Sequence, residues 1–185
     1  MPTGITHAFV GWAGAKLAAP RDVPRKLFVI APLCAFVPDL DTLGFHFGVR
    51  YGDLIGHRGL THSLPFALVL TLAVMLLFFR EYKPFVSRRW WGLWAMLFSV
   101  TAVHGLLDAM TTGGLGVAFF APFSDTRYFL PWRPIRVSPI GIGGFLHYRR
   151  MAAAAVLSEL LVVWLPLAAV LALHKWATRP TAVGE

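Results

Sequence analysis

Cysteine and acidic residues are what this sequence has least of. Its 185 residues include one Cys and nine Asp and Glu. A single cysteine excludes an intramolecular disulfide and a thiolate-rich zinc site, and Cys34, set in an apolar run, reads as a small buried hydrophobe. Charged residues of both signs make up only 14% of the chain, against 57% hydrophobic. That balance is too apolar for an ordinary soluble domain of this length, so the implied solvent is the bilayer. No basic stretch precedes the first apolar segment, so no cleaved signal peptide is expected and insertion is expected to rest on internal helices. No internal repeat or low-complexity tract is visible.

What the chain does have is positive charge and long apolar runs. Seventeen Lys and Arg give a net charge of +8. That excess could suggest nucleic acid, but the basic residues fall in short loops between apolar runs, the pattern of topology signals and contacts with anionic membrane lipids. No nucleic-acid partner is expected. Ser63–Phe79, Trp90–Met110 and Ala152–Leu173 each approach the roughly 20 residues that cross about 30 Å of hydrocarbon. Ile5–Ala19 and Leu27–Val37 are shorter and read as tilted or partly spanning helices, joined in a hairpin hinged at Pro20 to Pro24. The expected fold is a single all-α membrane domain over residues 1–185, a polytopic bundle of about five segments. Leu115–Phe123 is apolar but too short to cross and is broken by glycine and proline, so a re-entrant or interfacial stretch is expected. Ser124–Arg150, rich in Pro and Gly, is expected to be an irregular loop or cap outside the membrane. Arg21, Arg25 and Lys26 in one loop, and Arg80, Lys83, Arg88 and Arg89 in another, point to the cytoplasmic side, which puts the N-terminus outside. The basic loop after the fourth segment fits that assignment less well.

The scarce acids are not scattered. Three of them stand beside histidines at the ends of apolar helices, where ionisable groups are costly unless used. The patterns are Pro38-Asp39-Leu40-Asp41 and His104-Gly105-Leu106-Leu107-Asp108. His104 and Asp108 are one helical turn apart and project from the same face. His57-Arg58-Gly59-Leu60-Thr61-His62-Ser63 brings two further imidazoles to the start of the third segment, and His7 opens the first. In an up-and-down bundle His7, Asp39, Asp41, His57, His62, His104 and Asp108 all fall at the same end, opposite the two short basic loops. Imidazole and carboxylate ligands without thiolate suit one or two divalent metal ions, zinc first, with manganese or iron as alternatives.

Each residue also has a plainer reading. Asp39 and Asp41 could terminate a helix, and Thr61 or Ser63 could cap the next one. His46, His147 and His174 are read as non-ligands. Asp53, Glu81 and Asp125 are read as solvated loop charges, and Glu159, inside the last span, has no assigned role. Joint placement at one end is what raises the set above its members taken singly.

The Thr-His near the N-terminus, Pro-Asp-x-Asp, His-Arg-Gly-x-Thr-His-Ser and His-x-x-x-Asp with a following Thr resemble the YdjM-type inner-membrane proteins, a family of membrane-bound metal-dependent hydrolases. The likeness runs from Thr6 to about Tyr128. That family is in turn distantly similar to zinc-dependent phospholipase C and P1-type nucleases. By this resemblance His104 and Asp108 would be metal ligands, with His7, Asp39 and His62 as companions, in a site of one or two metals. The implied chemistry is hydrolysis of a phosphoester or phospholipid-type substrate at the non-cytoplasmic face of the bacterial inner membrane. Asp41 or His57, if not a ligand, could act as general base or orient a ligand, and Arg58 could either meet a substrate phosphate or anchor to headgroups. A metal or proton transporter predicts polar groups near mid-membrane and two related halves. A non-catalytic scaffold, with metal stapling the helices, predicts a closed coordination sphere.

Overall fold

Small residues set how closely the first two helices approach. The computed structural model describes residues 1–18 and 23–179, and α1 (Gly4–Ala18) lies against α2 (Leu27–Phe36). A side chain at Gly11 would fall 2.6 Å from the Ala31 carbonyl oxygen, so the two backbones nearly touch there. This is how helices associate in a solvent as apolar as their own side chains. The expected hinge at Pro20 to Pro24 lies largely outside the described residues, as does Arg21.

Beyond Phe36 the helix does not stop at Pro38. It tightens into a 3-10 stretch, Val37–Phe47, closed by Gly48 at φ 81°. Proline near the first position of the tighter turn forfeits no helical hydrogen bond. Leu27–Phe47 is therefore a run of 21 residues, longer than the sequence suggested. Next come α3 (Leu64–Phe78) and α4 (Arg88–Ala109), each started by a serine whose hydroxyl accepts from a backbone amide: Ser63 from Phe66 at 3.1 Å and Ser87 from Trp90 at 3.1 Å. After an irregular stretch come α5 (Gly141–His147) and α6 (Arg149–Glu159). A π-turn over Leu160–Trp164 then leads into α7 (Leu165–Ala177).

The class is all-α, with no strand among the described residues beyond two isolated bridges. Three helical runs are long and apolar enough to cross a membrane: Leu27–Phe47, Arg88–Ala109 and Arg149–Ala177. The count of about five is not reached on length. α1 and α3 have 15 residues each, about 22 Å of helix at about 1.5 Å per residue. Within the expected cap, Gly141–His147 is helical rather than irregular, and α6 begins at Arg149.

The apolar core occupies one end of the bundle, where Leu27, Met75, Phe79, Trp90, Leu93 and Leu97 are buried together. The two basic loops meet there, with Lys26 Nζ 2.6 Å from Glu81 Oε1, so Glu81 is exposed but paired. α4 is the central helix, 56% buried over its most apolar window, whereas the Arg149–Ala177 run is 11% buried and shows most of its surface outward. Glu159, left without a role by the sequence, pins that outer run to the start of α1. It is 2% exposed, accepts from the Thr3 amide at 2.8 Å and the Thr3 hydroxyl at 2.6 Å, and also accepts from the Thr6 hydroxyl. A carboxylate at a helix N-terminus meets the free amides and positive dipole end there.

Residues 111–123 fold back over the opposite end. Val117, Ala118 and Ala121 are buried, and this stretch bonds to the loop before α3 through Ala118 N to Arg58 O (3.0 Å) and Leu64 N to Phe119 O (2.9 Å).

Candidate metal centre

Four elements bring histidine and aspartate to one point. His7 comes from the first turns of α1, Asp39 and Asp41 from the 3-10 stretch, His57 and His62 from the loop before α3, and His104 and Asp108 from the last turns of α4. This is the end of the bundle away from the basic loops. His46, His147 and His174 are exposed and take no part.

The 3-10 geometry separates the two aspartates that sequence could not tell apart. At about 3.0 residues per turn, side chains two apart point about 120° from each other. Asp39 turns inward: its Oδ1 is 3.4 Å from His104 Nε2 and 3.6 Å from His62 Nε2. Asp41 turns toward the loop and is saturated there. Its Oδ1 accepts from His57 Nδ1 (2.8 Å), and its Oδ2 accepts from Thr61 Oγ1 (2.6 Å), the Arg58 amide (3.3 Å) and His62 Nδ1 (3.1 Å). His62 is thereby fixed with Nδ1 on Asp41 and Nε2 turned to the centre, 3.3 Å from Asp108 Oδ2. His104 is fixed likewise, its Nδ1 donating to the Ala35 carbonyl at 2.7 Å. A carboxylate or carbonyl behind the distal imidazole nitrogen is the usual means of setting tautomer and direction in a metal-binding histidine.

Asp39, His62, His104 and Asp108 can each offer an atom so that all four lie within 4.8 Å of one another, and all four residues are buried. Asp41, His57 and His62 form a second such group, but there the atoms already bond to each other. In the first group His62 Nε2, His104 Nε2 and both oxygens of Asp39 and Asp108 are buried without a hydrogen-bond partner, as are both ring nitrogens of His7. Buried polar groups are nearly always satisfied, so such a cluster requires an explanation. The spacings supply one. Ligand atoms about 2.1 Å from a tetrahedral ion sit about 3.4 Å from each other, and the observed separations are 3.3, 3.4 and 3.6 Å. The residues fit a divalent ion. His7 lies alongside, its ring stacked on His104 at 3.6 Å and its Nε2 3.5 Å from Asp108 Oδ1.

Burial alone would lower the His62 pKa, but Asp108, Asp39 and Asp41 outweigh it and raise it well above the ordinary histidine value. The same carboxylate charges that hold a proton on His62 would attract a divalent cation, which would have to displace that proton. His57 goes the other way, held below the ordinary value by burial despite Asp41.

Of the two uses considered for Arg58 from sequence, an anchor in surface headgroups does not fit its position. Its side chain is fully buried, so it reaches no headgroup at the surface. Its Nε lies 3.1 Å from Asp108 Oδ2, while its terminal nitrogens donate to the Gly113 carbonyl and the Thr111 hydroxyl, each at 2.9 Å. Its backbone sits in the left-handed region, φ 64°, a conformation that costs a non-glycine residue about 1–2 kcal/mol. Arg127 was not singled out by sequence, yet it holds the loop from outside, donating to the backbone carbonyls of His57 (3.0 Å) and Asp53 (3.1 Å). An arginine in a turn-rich segment carries no signal of that role.

The model of the YdjM inner membrane protein family matches residues 1–178. The inner membrane protein YbcI of Escherichia coli (strain K12) is 38% identical over 179 residues, covering 97% of this chain and 100% of that protein. No solved structure matches.

Proposed function

The chain belongs to the YdjM inner membrane protein family, and from that premise we propose that it is a metal-dependent hydrolase acting on a phosphoester at the membrane face. The observation that carries the reading is the set of buried nitrogen and oxygen atoms of His62, His104, Asp39 and Asp108 at ligand spacing and without hydrogen bonds, Asp108 Oδ2 being also ion-paired with Arg58 Nε at 3.1 Å. Those four residues would hold the ion, with His7 beside them. A bound divalent ion of this ligand type, zinc in preference to manganese or iron, supplies Lewis-acid activation of water and of a phosphoryl or acyl oxygen.

The chain's own groups divide the remaining work. Asp41 orients His62 and keeps its Nε2 toward the centre. His57, bound through Nδ1 to Asp41, keeps Nε2 without a partner and is the group here able to take a proton from water. Arg58 holds Asp108 in place rather than touching substrate. In hydrolysis, water adds across the P–O ester bond and its proton passes to the departing alcohol. The expected placement of the site is the non-cytoplasmic face, opposite Lys26 and the 80–89 loop.

A metal-stapled scaffold is the rival, and the complete burial of the four ligands favours it. Metal analysis and assay separate the two. Protein purified in detergent is expected to contain zinc or a similar ion, to lose it in His104→Ala and Asp108→Ala, and to hydrolyse phosphodiester and phospholipid substrates only when loaded. Unchanged metal content in both variants overturns the site. Bound metal with no turnover across a broad panel favours the scaffold.

A further inference from the structure

Asp39 has a second environment. Besides facing the histidines, it lines a cavity of about 610 Å³ between the start of α1, the 3-10 stretch, α5 and the junction of α6 with the π-turn. The walls are apolar, with Ile5, Phe36, Ile142, Phe145, Leu146 and Val156 among them. Ile5 and Ile142 are 69% and 81% exposed and form the rim. Polar groups are few and already differ in what they have left to give. The Glu159 carboxylate is taken by Thr3 and Thr6, and the Thr42 hydroxyl donates to the Asp39 carbonyl at 2.8 Å. That leaves the Met1 amino group, on a residue that also lines the cavity, and the Ser138 hydroxyl, which is buried without a partner. Pockets that enclose one small ligand span about 300–1,000 Å³, with mostly apolar walls and a few converging polar groups.

We propose that this cavity takes a single hydrocarbon chain of a lipid phosphoester, with the phosphate end at the Ser138 hydroxyl and the Met1 amino group, on the side of the cavity that Asp39 and the His–Asp cluster share. The chain explains the apolar walls and a rim facing outward from helices in an apolar solvent. The phosphate explains a buried hydroxyl donor with nothing to donate to, in the same cavity as the Met1 amino group. The size favours one chain rather than a whole two-chain lipid. The substrate assignment rests on the hydrolase reading above, whereas the occupancy of the cavity does not.

Binding is measured in nanodiscs with palmitoyl lysophosphatidic acid, which carries one chain and one phosphate, and with glycerol 3-phosphate, which lacks the chain. Burial of a few methylenes is enough for at least about tenfold preference for the chain-bearing probe. Val156→Trp, which fills the cavity, and Ile142→Trp, which blocks its rim, are each expected to remove that preference with metal content unchanged. Leu173→Trp, on an outward face of α7 where the residue is 65% exposed, is expected to bind as the native protein does. Ser138→Ala is expected to weaken lysophosphatidic acid while leaving hexadecanol unaffected. If either folded tryptophan variant in the cavity binds the chain-bearing probe normally, or if chain length makes no difference, the proposal is overturned. Chain binding with loaded metal but no turnover would sink the hydrolase reading alone. Turnover indifferent to chain and to Val156→Trp would sink the cavity alone.

Discussion

Asp41→Asn tests the division of labour between the two aspartates. The carboxylate accepts four donors on two oxygens, one of them from His57 and three from Thr61, His62 and the Arg58 amide. An amide in its place has one oxygen and one donor group, so it must point the donor either at His57 or at Thr61 and His62. The first choice is tolerable. His57 Nε2 has no partner, so the ring can carry its proton there and accept the amide through Nδ1. The variant should therefore fold with His62 still in place but backed by a neutral group. Loss of such a supporting partner typically costs 10- to 100-fold in metal affinity, or about 1.4–2.7 kcal/mol. Asp39→Asn removes a charged donor from the ion itself and should cost more. The assay is a competition titration against a zinc chelator for the native protein and both variants. An Asp41→Asn loss equal to or greater than that of Asp39→Asn would refute the geometric assignment, and unchanged affinity would refute the orienting role.

Two further substitutions probe what holds the site. At Gly59 a Cβ would lie 2.2 Å from the Leu54 carbonyl oxygen, so Gly59→Ala must displace the loop that carries His57 and His62; loss of bound metal with the helical circular dichroism retained is expected. Glu159→Ala leaves the buried Thr3 amide and the Thr6 hydroxyl without their acceptor, a cost of about 1–3 kcal/mol, read as a lower thermal midpoint in detergent.

The sequence carried the site further than it carried the helices. His104 and Asp108 needed only helical periodicity, and the common end followed from counting apolar segments, because side chains at helix termini are placed by topology alone. The roles of Asp39 and Asp41 were not legible, since their directions depend on whether the backbone after Pro38 is extended, α or 3-10, and the chain chose the last. The burial of Arg58 and its pairing with Asp108 were not legible for a different reason. Its burial is created by residues 111–118 folding back over the loop, with Thr111 and Gly113 accepting from its guanidinium, a contact more than fifty positions away in sequence. Glu159 was opaque because its partners, Thr3 and Thr6, lie at the far end of the chain.

Charge balance bears on how many ions the site holds. Three carboxylates, those of Asp39, Asp41 and Asp108, are buried within the cluster, with one guanidinium, that of Arg58, against them. With the histidines neutral, as metal ligands must be, and the Met1 amino group that also faces Asp108 and Asp39 lowered by burial to about 6 and so largely uncharged at neutral pH, the buried set carries about two net negative charges. One divalent ion cancels them, while two ions would leave the same imbalance with the opposite sign in surroundings where uncompensated charge is expensive. Asp41, which could have completed a second ion's coordination, is already engaged by four donors. One metal ion per chain is therefore expected from elemental analysis of the purified protein, and Arg58→Leu, which removes the guanidinium paired with Asp108, should lower stability in chelator far more than in the presence of zinc. Two tightly held ions per chain would show that Asp41 and His57 leave their present bonds to coordinate metal.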